Sequence, residues 1–254
     1  MTSPDFLNLH QKTLLVTGAS SGIGREAALL ASQYGARIAL LARRVDDLED
    51  LVGRLPGEGH IIVPYDLTDT DGIPEMVRSV ADRLGGLDGL VHAAGRHLTL
   101  PLRSVSSSNI HELFDINVAA AIMLAKGFRH KQVRKPSASL VLLSSAVGLV
   151  GQPGVSVYSA TKGAIITLTK SLALELARED IRVNCVCPGV VMTAMTQGIR
   201  DRIGEEGFKA VTEAHPLGLG QASDVANAIL FLLSSSSRWI TGTAVPVDGG
   251  YTAQ

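Results

Sequence analysis

A tyrosine and a lysine stand four residues apart in the segment VSVYSATKGAI, residues 155–165: Tyr158 and Lys162. The alanines here and the ITLTKSLALELA that follows make the segment helix-like, and side chains at i and i+4 share one helix face. Side by side, a phenol and an ammonium can serve as a proton donor and its tuner. A free phenol titrates near about 10, too high for efficient exchange at neutral pH, whereas a nearby ammonium and a helix start both favour the phenolate. Helical side chains lean toward the N-terminus, which tips Lys162 back toward Tyr158. The alternative is a plain amphipathic edge, for which aliphatic or charged neighbours are expected instead of alanine and glycine.

A second constellation is LLVTGASSGIGREAA, where Gly18, Gly22 and Gly24 enclose Ser20, Ser21 and Ile23 between an apolar run and a helix-like one. Glycines allow a tight turn and close backbone approach, and a helix start offers free N–H groups to a pyrophosphate. A glycine trio alone is weak evidence, but this one sits in the first strand-to-helix turn, where a dinucleotide loop belongs. After the second apolar run, an NAD site places an acid for the ribose 2′-hydroxyl; here Ala42 stands there, followed by Arg43 and Arg44. Guanidinium groups suit a 2′-phosphate, so NADP(H) is the expected cofactor. The alternative has both arginines in solvent and Asp46 or Asp47 reaching the ribose. Asp66 and Leu67 end the third apolar run, with Asp66 a candidate acceptor for the adenine amino group. Ala93, Ala94 and Gly95 end the fourth and allow close backbone approach; either segment could equally be turn chemistry.

These residues need a scaffold. The runs TLLVTG, RIALLA, HIIVPYD, GLVHAAG, SLVLLSS, IRVNCVCPG and AVPVDGG alternate with helix-like stretches. Continuously apolar strands are buried on both faces, and strand-helix alternation implies a parallel sheet. The expectation is one doubly wound α/β domain of Rossmann type over residues 1–254, with about seven strands. Residues 192–219 break the rhythm with mixed charges and glycines, and read either as a substrate lid or as a surface excursion.

Composition narrows the class. A chain 46% hydrophobic and 19% charged, with no low-complexity tract, is globular. Its net charge of −1 argues against nucleic acid or an anionic membrane as a partner. The basic run RHKQVRKP reads as a solvated helix end and loop, or else as a docking patch. The opening MTSPDFLNLHQK has no charged n-region or apolar h-region, and no apolar run reaches the roughly 18 residues of a membrane span. Cys185 and Cys187 alternate in one apolar run, face the same way and do not pair, which fits a cytoplasmic protein. No His/Cys cluster has metal-ligand spacing, so no metal is expected.

Taken together, the sequence resembles the short-chain dehydrogenase/reductase family over almost its whole length. The likeness rests on TGxxxGxG at residues 17–24, the asparagine of FDINVAAA, the paired serines of LLSSA, YxxxK at 158–162, PGVVMT and the closing TGTAVPVDGG. It implies a catalytic set of Asn117, Ser145, Tyr158 and Lys162; the family spacing of thirteen positions before the tyrosine selects Ser145 over Ser144. A carbonyl accepting hydride at carbon develops charge on oxygen, to which Ser145 lends a hydrogen bond and Tyr158 a proton. By the same resemblance Lys162 holds the nicotinamide ribose and Asn117 keeps a relay water. Pro188, Gly189, Val191 and Thr193 wrap the nicotinamide carboxamide, Val191 by its backbone and Thr193 by its hydroxyl. Asn117 could instead be a buried polar residue satisfied by backbone.

One departure is His92, where the family usually carries asparagine; His97 lies just beyond, near the expected mouth. The implied activity is NADPH-dependent reduction of a small ketone, or oxidation of the secondary alcohol, with 3-oxoacyl thioester reductases the nearest subgroup. The alternatives are an NAD-linked alcohol or sugar dehydrogenase, or a non-catalytic NADP-binding protein. The two alanine-rich helices around Asn117 and Tyr158 carry apolar surface beyond what one sheet face must cover, so a homo-oligomer is expected, a tetramer or a dimer.

Overall fold

The apolar runs become seven parallel strands: β1 (Thr13–Thr17), β2 (Arg37–Ala42), β3 (Ile61–Pro64), β4 (Leu87–His92), β5 (Arg134–Leu143), β6 (Ile181–Pro188) and β7 (Ala244–Val247). The computed structural model of the chain describes residues 6–253, so the first five residues of the opening segment lie outside the described residues. The strand order is β3-β2-β1-β4-β5-β6-β7, with Val16 in register with Leu40 on one side and Val91 on the other. Strand side chains alternate between faces, and here both faces are apolar. Leu15, Leu41, Leu90, Leu140 and Val183 meet helices α3 (Ile73–Leu84), α5 (Ala120–Phe128) and α6 (Ser156–Leu176). Leu14, Val16, Leu40, Val91, Val141 and Val186 meet α1 (Gly22–Gln33), α2 (Val45–Val52) and α8 (Ala222–Leu233).

The strand order reverses at β1: β2 and β3 lie to one side, β4 and its successors to the other. That switch point opens a crevice at the carboxyl ends of β1 and β4, the place where such sheets bind ligands.

Two stretches differ from a plain helical reading. The segment NIHELFDINVAAAIMLAKGFRH forms α4 (Ser107–Phe114), one π-helical turn (Asp115–Ala119) and then α5. In that turn the Ala120 N–H reaches back five residues to the Asp115 carbonyl. Within 192–219, most of the chain is helical as α7 (Ala194–Glu213), broken at Gly204, whose φ of 71° and ψ of 175° no helix contains.

The basic run lies at the opposite, amino-terminal edge of the sheet and is tied into ion pairs: Arg129 with Glu179, and Lys135 with Asp88 at 3.1 Å. Between them His130, Lys131 and Gln132 are exposed on a turn, in keeping with a solvated helix end and loop. Cys185 and Cys187 are buried on the same face as free thiols. No helix among the described residues is long and apolar enough to cross a membrane.

Candidate active site

A cavity of about 1070 Å³ opens over the carboxyl ends of the strands. The glycine loop forms its floor. Gly18 has φ of +69°, and a Cβ there would come within 2.7 Å of the Ala94 backbone nitrogen; a Cβ on Gly24 would come within 2.5 Å of the Gly18 carbonyl. Only glycine permits this contact between the loops after β1 and β4. The start of α1 is bare: Ser21 makes no side-chain cap and the first turn carries no acid. Its N–H groups and partial positive charge therefore face the cavity uncompensated, which is the condition for binding a phosphate.

At the far end, Arg43 is largely exposed, its guanidinium 3.8 Å from the Asp66 carboxylate. Arg44 donates to the Ser20 hydroxyl at 3.2 Å and pairs with Asp47, so Asp47 is turned to the arginine. Asp66 also accepts from the Thr68 N–H at 3.1 Å and the Thr68 hydroxyl at 2.9 Å. The Thr68 N–H is the main cause holding its carboxyl below the usual range. Asp66 thus closes a turn with one oxygen and leaves the other toward Arg43.

Ser145, Tyr158 and Lys162 line the same cavity, as do all the glycine-loop, arginine and strand-end residues named from the sequence. The two serines part company: Ser144 donates to the Lys162 backbone carbonyl at 2.7 Å, whereas the Ser145 hydroxyl accepts from the Val147 N–H at 3.4 Å, donates to the Pro188 carbonyl at 3.5 Å and eases the ionisation of Tyr158. Asn117 is not among the lining residues. It is buried in the π turn, its carbonyl oxygen accepting from the Arg96 N–H at 2.8 Å. Its amide nitrogen donates to the Arg96 carbonyl and the Thr161 hydroxyl, both at 3.0 Å. Both amide hydrogens are thereby committed, and the side chain fastens the loop after β4 to α6. Gly95 covers it: a Cβ there would lie 3.0 Å from the Asn117 oxygen and 3.6 Å from the Lys162 ammonium.

The expected lowering of the Tyr158 pKa by Lys162 is not what the site shows. Burial pushes the phenol up to about 12, and only the Ser145 hydroxyl pulls it back. The Lys162 ammonium sits 5.6 Å from the ring centre and donates instead to the Leu143 carbonyl at 2.8 Å. Burial in turn pulls Lys162 down to about 8, against an opposing pull from Cys187 and Cys185. Desolvation governs both groups, and the ammonium's hydrogen bond goes to backbone and not to the phenol.

His92, the departure from the family pattern, is 2% exposed at the end of β4. Its Nδ1 lies 2.9 Å from the Thr17 hydroxyl oxygen, which also accepts the Ala94 N–H at 3.2 Å. Burial, then the Lys162 charge, drives this imidazole down to about 3, so it is neutral in the fold. His97 packs edge-on against Tyr158, with 4.6 Å between ring centroids.

The loop after β6 completes the cavity. Pro188, Gly189, Val191 and Thr193 line it, Val191 bridges Gly220, and Thr193 starts α7. Phe208 and Val211 of α7 and Ala214, which caps its carboxyl end, form an apolar wall. His215 and Tyr251 also line the cavity and stack at 4.8 Å, and neither was singled out by spacing. The proline after His215 and the glycines before Tyr251 mark turns, the only signal the sequence offers there. Among the described residues no cluster of acids, histidines and cysteines has the makings of a metal site.

A family model described as enoyl-(acyl carrier protein) reductase matches residues 18–252. The chain belongs to the short-chain dehydrogenase/reductase family. As a member of that family it is an oxidoreductase. This short-chain dehydrogenase/reductase is 34% identical to the 3-oxoacyl-[acyl-carrier-protein] reductase FabG of Thermotoga maritima, over 96% of this chain and 99% of the relative. It superposes on a short-chain type dehydrogenase/reductase from Mycobacterium ulcerans with a TM-score of 0.90 and 31% identity, covering 96% of this chain and 91% of the other. ElxO, solved with NADP bound, matches with a TM-score of 0.86 and 28% identity over 96% of this chain and 100% of its own.

Proposed function

We propose that the protein is an NADP(H)-dependent oxidoreductase that interconverts a small ketone and the corresponding secondary alcohol. The observation that carries this reading is the convergence of Ser145, Tyr158 and Lys162 on one cavity with the bare start of α1 and Arg43. The residues fit the cofactor: the α1 N–H groups receive the pyrophosphate, and Arg43, with Arg44 and Ser20 beside it, receives a 2′-phosphate. NADP-bound relatives of the same fold support that assignment.

When bound, the nicotinamide supplies the hydride that reaches the carbonyl carbon. Ser145 donates a hydrogen bond to the oxygen as it gains charge, and Tyr158 delivers the proton that makes it a hydroxyl; in the reverse direction Tyr158 takes that proton back. Burial keeps Tyr158 in the protonated form that reduction needs, and the Ser145 hydroxyl is the neighbour that eases the release of that proton. Lys162 orients the ribose and sets the charge beside Tyr158, while Asn117 holds the loop after β4 against α6. Residues 192–219 act as the lid whose apolar wall excludes water.

A 3-oxoacyl thioester heads the candidate substrates, supported by the names of the curated relatives and by the apolar side of α7. The proposal includes a homo-oligomer, tetramer or dimer, because Ile122 on α5 and Leu174 on α6 are exposed on the two alanine-rich helices. Two buried free thiols suit a cytoplasmic setting. The test is a panel of 3-oxoacyl thioesters, sugars and simple ketones assayed by NADPH oxidation. Turnover of at least one ketone that vanishes in Tyr158→Phe is expected; NADPH binding without turnover of any carbonyl compound would make the chain a binding protein.

A further inference from the structure

His215 stands where the lid ends, and both of its ring nitrogens are committed. Nδ1 lies 2.8 Å from the Val211 carbonyl on α7, and Nε2 lies 3.1 Å from the Val190 backbone nitrogen in the loop after β6. The partners fix the tautomer. A carbonyl only accepts, so Nδ1 carries the proton; the Val190 N–H only donates, so Nε2 is bare. The ring is 4% exposed and stacks at 4.8 Å on Tyr251. Gly189 is needed for the approach, since a Cβ there would come within 2.9 Å of Nε2. One imidazole thus ties α7 to the strand-end loop that lines the cavity with Gly189 and Val191.

We infer that His215 is a positioning residue, a latch between lid and cofactor loop that holds only while its imidazole is neutral. A second proton on Nε2 would set two N–H donors against each other and leave the Val190 N–H buried without an acceptor. Asp248, on the turn after β7, interacts with His215, and its carboxylate accepts from the Gly250 N–H, the Thr252 N–H and the Thr252 hydroxyl. The Tyr251 phenol belongs to the same turn. On α7, Lys209 and Glu213 pair with each other at 3.7 Å in solvent, and at the start of α8 Asp224 is taken by the Gln221 N–H at 2.7 Å. A second proton therefore sets the ring against the Val190 N–H and releases the loop, weakening the hold on the cofactor. The cofactor side of this inference rests on the proposed NADP(H) activity; the tautomer does not.

The experiment has two arms. In the wild-type protein, 15N imidazole NMR at about pH 8 should show His215 protonated at Nδ1 and bare at Nε2; the opposite tautomer overturns the latch without any variant. NADPH dissociation constants are then measured by fluorescence at about pH 8 and about pH 5.5 for wild type, His215→Gln and His215→Phe. A glutamine offers one donor and one acceptor at every pH, so His215→Gln should bind at both pH values with a flatter dependence, wild type losing about fivefold more affinity on acidification. His215→Phe should bind weakly at both. Equal pH dependence in wild type and His215→Gln, or unimpaired binding by His215→Phe, sinks the inference, and if neither variant folds the tautomer decides alone. A wild type that binds no NADPH at any pH defeats the proposed function instead and leaves the tautomer measurement standing.

Discussion

The Lys162 ammonium stands 5.6 Å from the centre of the Tyr158 ring and gives its hydrogen bond to the Leu143 carbonyl. The phenol is therefore governed by its burial and by Ser145. Replacing Tyr158 by phenylalanine removes the proton but keeps the ring that His97 packs against. Turnover should fall by about a thousandfold with the NADPH dissociation constant changed less than about twofold. Ser145→Ala should cost about a hundredfold in kcat. Steady-state kinetics beside fluorescence titration checks both, and a Tyr158→Phe enzyme with near-normal kcat would remove Tyr158 from the chemistry.

Lys162 gives the pH dependence its shape. Burial brings this lysine to about 8, so its charge is present below that value and disappears as pH rises through it. The profile of kcat/KM for NADPH, which reports the free enzyme, should decline above about pH 8. Lys162→Arg carries a charge that does not titrate in this range and should show a lower rate without that limb. An identical limb in both proteins would assign it to another group.

Cofactor choice follows from Arg43, whose guanidinium reaches the cavity with only a 3.8 Å contact to Asp66. Arg44 is already bonded to Ser20 and Asp47. Arg43→Ala should weaken NADPH binding by about ten- to a hundredfold while leaving NADH nearly unchanged, because only NADPH carries the 2′-phosphate. Arg44→Ala should cost less. The comparison is a pair of titrations per variant; an unchanged ratio of the two affinities would move the 2′-phosphate elsewhere.

What the sequence disclosed and what it hid divide along physical lines. Strands buried on both faces read as unbroken apolar runs, and the bare glycine turn of α1 announces itself because only Gly18 and Gly24 fit their contacts. The π turn at Asp115–Ala119 left no mark, since an extra residue in a helix changes neither propensity nor polarity. The helix of Ala194–Glu213 was obscured by its glycines and charges, and the break at Gly204 shows why periodicity failed there. His215 is a single histidine whose partners are both backbone groups, so no residue spacing points to it. The rise in the Tyr158 pKa depends on how much water reaches the ring, which neighbours in sequence do not determine.

His92 links the departure from the family pattern to stability. Its imidazole is neutral in the fold, with a value near about 3 set first by burial and then by Lys162, against 6.5 for the free group. A histidine with a depressed folded value is charged more readily once unfolded, so the unfolded chain takes up protons first. Stability should therefore be lost as pH falls from about 6.5 toward about 3, and the His92 contribution to that loss near pH 4.5 is about 3 kcal/mol. His92→Asn keeps a group able to accept from Thr17 and removes the titration. Thermal melts of the two proteins should run in parallel from pH 7 to pH 8 and diverge below about pH 6.5, the asparagine variant losing less. If the melting difference is constant from neutral to acid pH, the buried imidazole at the end of β4 does not set the acid limit of this fold.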